Sequence, residues 1–331
     1  MVTRRNLVLM LASSVFGAPV MTFAQPRQAT RRVGVLAAGS QVDTEKLFRG
    51  FLNGLKDLGY FEGKNIAFEA RYADGSLNRL PALAAELVAR KVDIIFAPTS
   101  PAVRAAREAA GTTPIVFAVV NDPVERGIVA SIARPGANIT GVMNSGAGIA
   151  VRRLQLLKEA FPATSRIAIV ISRDPGATNE VVGQISEVQQ AAAAAGMETM
   201  QIEIRSRKSF DDAAAVLSKW KAGAMSCLDS SVNWANRDVL TEFAAKMKIP
   251  AIYPSRDYVE AGGLMSYGAD ADWNYKRAAT YVDKILKGAN PAELAVEGPG
   301  KFELVISQKA SIASGASLQP AFLKKADRVI L

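Results

Sequence analysis

The chain has 331 residues, a formal net charge of +9 and a hydrophobic fraction of 49%. It contains no histidine and a single cysteine, Cys227, which excludes Ser-His-Asp and Cys-His catalysis, a His-ligated metal centre and an internal disulfide within this chain. Its basic residues are scattered, as on a solvated surface, and do not form the concentrated footprint of a nucleic-acid-binding face.

Residues 1–24 read as a secretory signal peptide. Arg4 and Arg5 give a charged start, the apolar run 7–15 is too short to span a bilayer, and Thr22 and Ala24 are the small residues of a cleavage site. The stretch Thr3-Arg4-Arg5-Asn6-Leu7 also resembles a twin-arginine signal, with Sec export as the alternative. No cysteine stands near the cleavage region, so a freely soluble exported chain without a lipid anchor is expected. No later stretch approaches the length of a membrane span. The remaining chain is long enough for two domains.

After a short polar leader, 33–38 reads as a buried strand. Leu47, Phe48, Phe51, Leu52, Leu55 and Leu58 recur at helical spacing, with Gly59 placed to end the helix. A strand at 66–72, a helix at 80–88, a strand at 92–97, a helix at 101–110 and a strand at 115–120 follow. This alternation implies parallel sheet with helices on both faces. The pattern then restarts: strand 139–143, helix 151–160, strand 166–171, helix 180–195, strand 199–204, helix 210–220, strand 225–228 and helix 240–248. Short strands at 251–253 and 263–266, a helix at 273–287 ended by Gly288, and a strand at 302–306 complete it. Cys227 sits in an apolar run and reads as a small buried hydrophobe. Arg152 and Arg153 read as a solvated helix face.

Ligands of open parallel α/β sheets bind beyond the carboxyl ends of the strands. The residues found there are Ser40, Thr99, Ser100, Asn121, Asp122, Ser172, Arg173, Asp174, Asp229, Ser230, Tyr253, Ser255 and Tyr267. Hydroxyls and helix N-termini suit an anionic group, a carboxylate suits a cation, and aromatic rings suit an apolar body. Each serine, asparagine or aspartate also has a simpler use as a helix cap. The tyrosines have one as rim packing. The glycines of 59–63 lack P-loop spacing, and Gly146 and Gly148 lack the third glycine of a dinucleotide fingerprint. Neither cofactor nor metal is expected.

Seven segments carry a resemblance that covers almost the whole mature chain: RRVGVL (31–36), FRGFLNGLKDLGYFEGKNIAFEARYADG (48–75), RLPALAAELVARKVDII (79–95), PIVFAVVNDPVERGIVASIARPGANITGV (114–142), IPAIYPSRDYVEAGGLMSYG (249–268), YVDKILKGANPAEL (281–294) and KFELVISQKAS (301–311). Together they resemble the substrate-binding proteins of ABC transporters, in the tryptophan/tyrosine-binding-like group. The resemblance implies a type I periplasmic binding protein: two Rossmann-like three-layer α/β lobes joined by crossover segments, with the ligand cleft between them. The lobes are expected at 33–142 plus 266–302 and at 143–265 plus 303–331, with hinges near 139–145 and 262–268. The implied partners are a small solute and an inner-membrane permease driven by a separate ATPase, with the chain itself monomeric. Carried onto this sequence, the pocket positions are Thr99, Ser100, Asn121, Asp122, Asp229, Tyr253 and Tyr267. The stretch Asp229-Ser230-Ser231-Val232-Asn233-Trp234 departs from the pattern of aromatic amino-acid binders. A sensory subunit reporting to a membrane receptor would use the same cleft. An exported enzyme would need Asp122, Asp174 and Asp229 to converge.

Overall fold

The computed structural model describes residues 30–331 apart from 147, 173–177 and 205. The segment 1–24 and the candidates Arg173 and Asp174 lie outside the described residues. The chain begins β1 (Arg31–Ala37), α1 (Gln41–Asp57), β2 (Ile66–Tyr72), α2 (Leu80–Ala89), β3 (Ile94–Phe96), α3 (Ser100–Ala109), β4 (Ile115–Asn121) and β5 (Ile139–Ser145). These strands are short, rich in branched and aromatic residues, and mostly buried on both faces, as parallel strands covered by helices must be. They pair, all in parallel, in the order β2-β1-β3-β4-β5.

The second lobe continues with α4 (Ile149–Ala160), β6 (Arg166–Val170), α5 (Thr178–Ala194), β7 (Glu198–Ile202), α6 (Phe210–Trp220), β8 (Ala224–Cys227), α7 (Ser231–Ala235), α8 (Arg237–Met247), β9 (Ala251–Tyr253), α9 (Arg256–Glu260) and β10 (Met265–Ala269). The chain then returns to the first lobe as α10 (Ala271–Leu286). It crosses back as β11 (Phe302–Ser307), α11 (Gln308–Ser314), α12 (Pro320–Leu323) and β12 (Arg328–Ile330). Seven strands order as β12-β11-β10-β9-β8-β6-β7, parallel except for β10 against β11. Cys227 is buried, as its apolar setting implied.

Each sheet is covered on both faces. One apolar cluster of the first lobe joins Val33, Val35, Phe51 and Phe96 to Tyr275, Ala278, Ala279 and Val282 of α10. The two helices meet closely because α1 carries glycine at the contact. A Cβ on Gly54 would lie 2.6 Å from the Lys276 carbonyl oxygen, so only glycine admits this approach.

The sheet pairing corrects the expected lobe boundary. Residues 266–269, expected in the first lobe, belong to the second sheet, because Ser266 pairs with Tyr253 and Tyr267 with Leu304. β5 likewise extends to Ser145 within the first sheet. The lobes are therefore joined after Ser145, between β10 and α10, and before β11.

Candidate functional site

A cavity of about 230 Å³ lies between the lobes, at the carboxyl ends of both sets of strands. The first lobe contributes Gly39 after β1, Thr99 and Ser100 after β3, Asn121 at the end of β4 and Asn144 in β5. The second contributes Asp229 after β8, Trp234 of α7, and Ser255 and Asp257 after β9. Leu47, Leu77, Val119, Val232 and Tyr275 supply apolar wall.

Thr99 is the N-cap residue of α3, yet its side chain makes no capping hydrogen bond. Its Oγ1 is buried and hydrogen-bonds to none of the described residues. Ser100, also buried, opens the helix. Pro101 fits the first turn, where a missing N–H costs nothing. The helix start and its dipole therefore face the cavity with a free hydroxyl beside them.

Asp229 stands opposite. Ser230, not Asp229, caps α7: its Oγ accepts the Asn233 N–H at 2.9 Å, leaving Asp229 free of that duty. Asn144 of the first lobe donates to Asp229 Oδ2 at 3.3 Å and to Asn121 Oδ1 at 3.2 Å. Ser145 Oγ also donates to Asn121 Oδ1, at 2.7 Å. One polar chain thus runs from the first-lobe strands to the second-lobe carboxylate. Beneath it lies Arg153, only 1% exposed, donating from Nε to the Tyr267 carbonyl at 2.7 Å and from Nη2 to that of Pro254 at 3.4 Å. Burial pulls its guanidinium down and the Asp229 carboxylate pushes it back up. The expected solvated face holds for exposed Arg152 and fails for Arg153, because α4 turns that side chain under the cleft floor.

The structure therefore gathers Thr99, Ser100, Asn121, Asp229, Ser230 and Ser255 around one cavity. Five of the expected positions are described but not in its lining, and of these Ser172 is buried, its Oγ donating to Asn233 Oδ1 at 2.7 Å. Ser40 is the N-cap of α1, accepting the Asp43 N–H at 3.3 Å and donating to Asp43 Oδ2 at 2.9 Å. Asp122 turns into a small recess with Glu125 and Glu187; burial, then Glu125, pushes its carboxyl up to about 6 against the pull of Arg126. Tyr253 is fully buried in the second-lobe core, stacked on Tyr258 at 5.0 Å. Tyr267 stacks on Phe302 at 5.7 Å, against the other core face of that lobe. In each tyrosine the strand's alternation sends the side chain into a core layer rather than past the strand end.

Trp234, Asp257, Asn144 and Asp43 line the cavity without having been selected from sequence. Asn144 directly follows the strand expected at 139–143, so the same position after a strand end is the signal that could have found it. Trp234 and Asp257 sit in or beside helices of five residues, too short to show a period.

The profile of the family described as ABC transporter substrate binding protein matches residues 32–330. A tyrosine-binding protein of Clostridioides difficile strain R20291 is 24% identical over 281 residues, covering 84% of this chain and 79% of the relative. Among solved structures, a conserved domain protein of Vibrio cholerae O1 biovar eltor strain N16961 matches with a TM-score of 0.81 and 27% identity, over 91% of this chain and 99% of that one. An ABC domain from Streptococcus pneumonia in complex with L-Trp matches with a TM-score of 0.82 and 22% identity, over 91% and 100% of the two chains. Two parallel-sheet lobes, a cleft at their strand ends and a match over nearly the whole described chain agree: this chain belongs to the ABC transporter substrate-binding proteins, in the type I periplasmic fold.

Proposed function

We propose that the protein captures an amino acid or related small carboxylate in the interlobe cavity. It hands that solute to an inner-membrane ABC permease, acting in the periplasm after export by residues 1–24, as a monomer and without catalysis. The observation that carries this reading is the pairing of opposite chemistries across one cavity. Thr99 offers an unpartnered hydroxyl at the positive end of α3, and Asp229 offers a carboxylate released from capping. Such an arrangement fits a solute with an anionic and a cationic group. The relatives named for tyrosine and L-Trp support the same class.

A thermal-shift screen of amino acids, carboxylates and sugars tests it. A bound solute at about a hundred times its Kd stabilises by roughly 2.7 kcal/mol. Calorimetry on Asp229→Ala should then show a loss of about 2–5 kcal/mol of binding. A folded Asp229→Ala variant that binds as tightly as the parent would remove Asp229 from the site. Stabilisation by sugars alone would overturn the solute class.

A further inference from the structure

A second and larger void, about 1060 Å³, lies outside the cavity along α1, where Phe48, Phe68 and Tyr72 form part of its wall. Four residues line both voids: Asp43, Leu47, Trp234 and Asp257. They form the boundary between them, and the indole of Trp234 is its largest part. That ring is held from several sides. Its Nε1 donates to Asp257 Oδ2 at 3.1 Å. The Arg237 guanidinium lies 4.5 Å from its centroid. Arg237 in turn donates from Nη2 to Asp43 Oδ1 of the other lobe at 2.9 Å. Across the cleft, a Cβ on Gly39 would lie 3.7 Å from the indole Cζ3, ordinary van der Waals contact.

The strand order gives the cavity a direction. β5 and β4 bring Asn144 and Asn121 to one end, β3 brings Thr99 to the middle, and β1 leads to Gly39 and Asp43 at the other. Asn144 hydrogen-bonds Asp229 at the first end, and Trp234 faces Gly39 at the far end. A solute whose charged groups sit at Asp229 and Thr99 therefore points its remaining body toward the indole.

We propose that Trp234 determines specificity by length: its ring is a partition that confines the solute to a compact side chain. With the ring removed the two voids become one. Amino acids with long, apolar-tipped side chains then fit, their tips covered by Phe48 and Phe68. A hydrophobic pocket discriminates by roughly 10–200-fold per excluded or missing methylene, so a whole-ring partition is a strong filter.

This inference takes its probes from the amino-acid reading above, and two measurements keep the two apart. The first does not depend on which solute is bound: crystal structures of the parent, Trp234→Ala and Trp234→Phe in the closed form, with Trp234 opposite Gly39. We expect divided voids in the parent and in Trp234→Phe, and one continuous void in Trp234→Ala. Trp234→Leu serves as a milder opening if the alanine variant does not fold. Voids that stay divided in the opened variant overturn the proposal. The second is calorimetry with L-methionine as the short probe and Nε-benzyloxycarbonyl-L-lysine as the long one. The ratio of their affinities should swing toward the long probe by about tenfold or more in Trp234→Ala and stay unchanged in Trp234→Phe. A continuous void with an unchanged ratio also overturns it. If neither probe binds the parent, the thermal-shift screen decides the amino-acid reading, and the crystal structures still decide the partition.

Discussion

Asp122 stands in the left-handed region at φ 40°, which asparagine and aspartate tolerate better than other side chains. Burial and Glu125 raise its carboxyl to about 6, with Glu187 and Asp229 adding smaller pushes and Arg126 opposing. A carboxyl whose folded value is raised holds its proton better folded than unfolded, so its contribution to stability falls as pH rises from its ordinary value of 3.8 through about 6. Above that window the charged form is held half-buried beside Glu125. Asp122→Asn keeps the backbone preference and removes the charge. Its melting temperature should exceed the parent's at pH 7.5 by a margin on the order of a few degrees, and the difference should vanish towards pH 4. Calorimetric scans at the two pH values check this. The same scale shows what the sequence disclosed of the site. Thr99, Ser100, Asn121 and Asp229 were legible because position after a strand suffices to put a side chain at the cleft. Ser40, Tyr253 and Tyr267 were not, because capping and core packing use the same residue types in the same places. Only the register with β8, β9 and β11 decides which way a strand-end side chain turns.

The contact between α1 and α10 is where one element most constrains another. Gly50 and Gly54 place the α1 backbone against Asp272 and Lys276 carbonyls, at 2.8 Å and 2.6 Å from where a Cβ would stand. Neither neighbour is a flexible side-chain tip, so Gly54→Leu must force the helices apart. Urea unfolding should show a loss of about 1–3 kcal/mol, the usual cost of overpacking, in contrast to a near-neutral change at exposed Gly183. Elements of this length were legible: the apolar face of α1 and the buried stripe of α10 repeat at helical spacing over several turns. The five-residue helices α7 and α9 were not, since less than two turns show no period. Nor was the antiparallel placement of β11 beside β10, which depends on a tertiary partner rather than on either strand's composition.

At the scale of the molecule, the lobes meet through polar contacts that are partly buried or exposed, Arg256–Asp272 at 2.8 Å among them. Asp43 pairs with Arg237, Lys46 with Glu260, and Asn144 with Asp229. Exposed ion pairs contribute about 0–1 kcal/mol each, so these contacts alone leave the closed form finely balanced and a solute bridging the lobes can tip it. Small-angle scattering should therefore give a smaller radius of gyration at saturating solute, with the chain turning at the three crossings, after Ser145, beside residue 270 and before β11. An unchanged radius would count against closure. The two-lobe plan was legible from alternation alone; the exact crossing points were not, because β10 reads as a strand whichever sheet it joins. The return of α10 also has a consequence for how the protein is made. The layer that seals Val33, Phe51 and Phe96 is translated only after the second-lobe elements from α4 to β10. On the ribosome, the lobe that is begun first is thus the one left with an open apolar face the longest. Its completion waits for a helix that emerges near the end of synthesis, and the second lobe in turn waits for β11 and β12, so neither lobe is complete until almost the whole chain has been made.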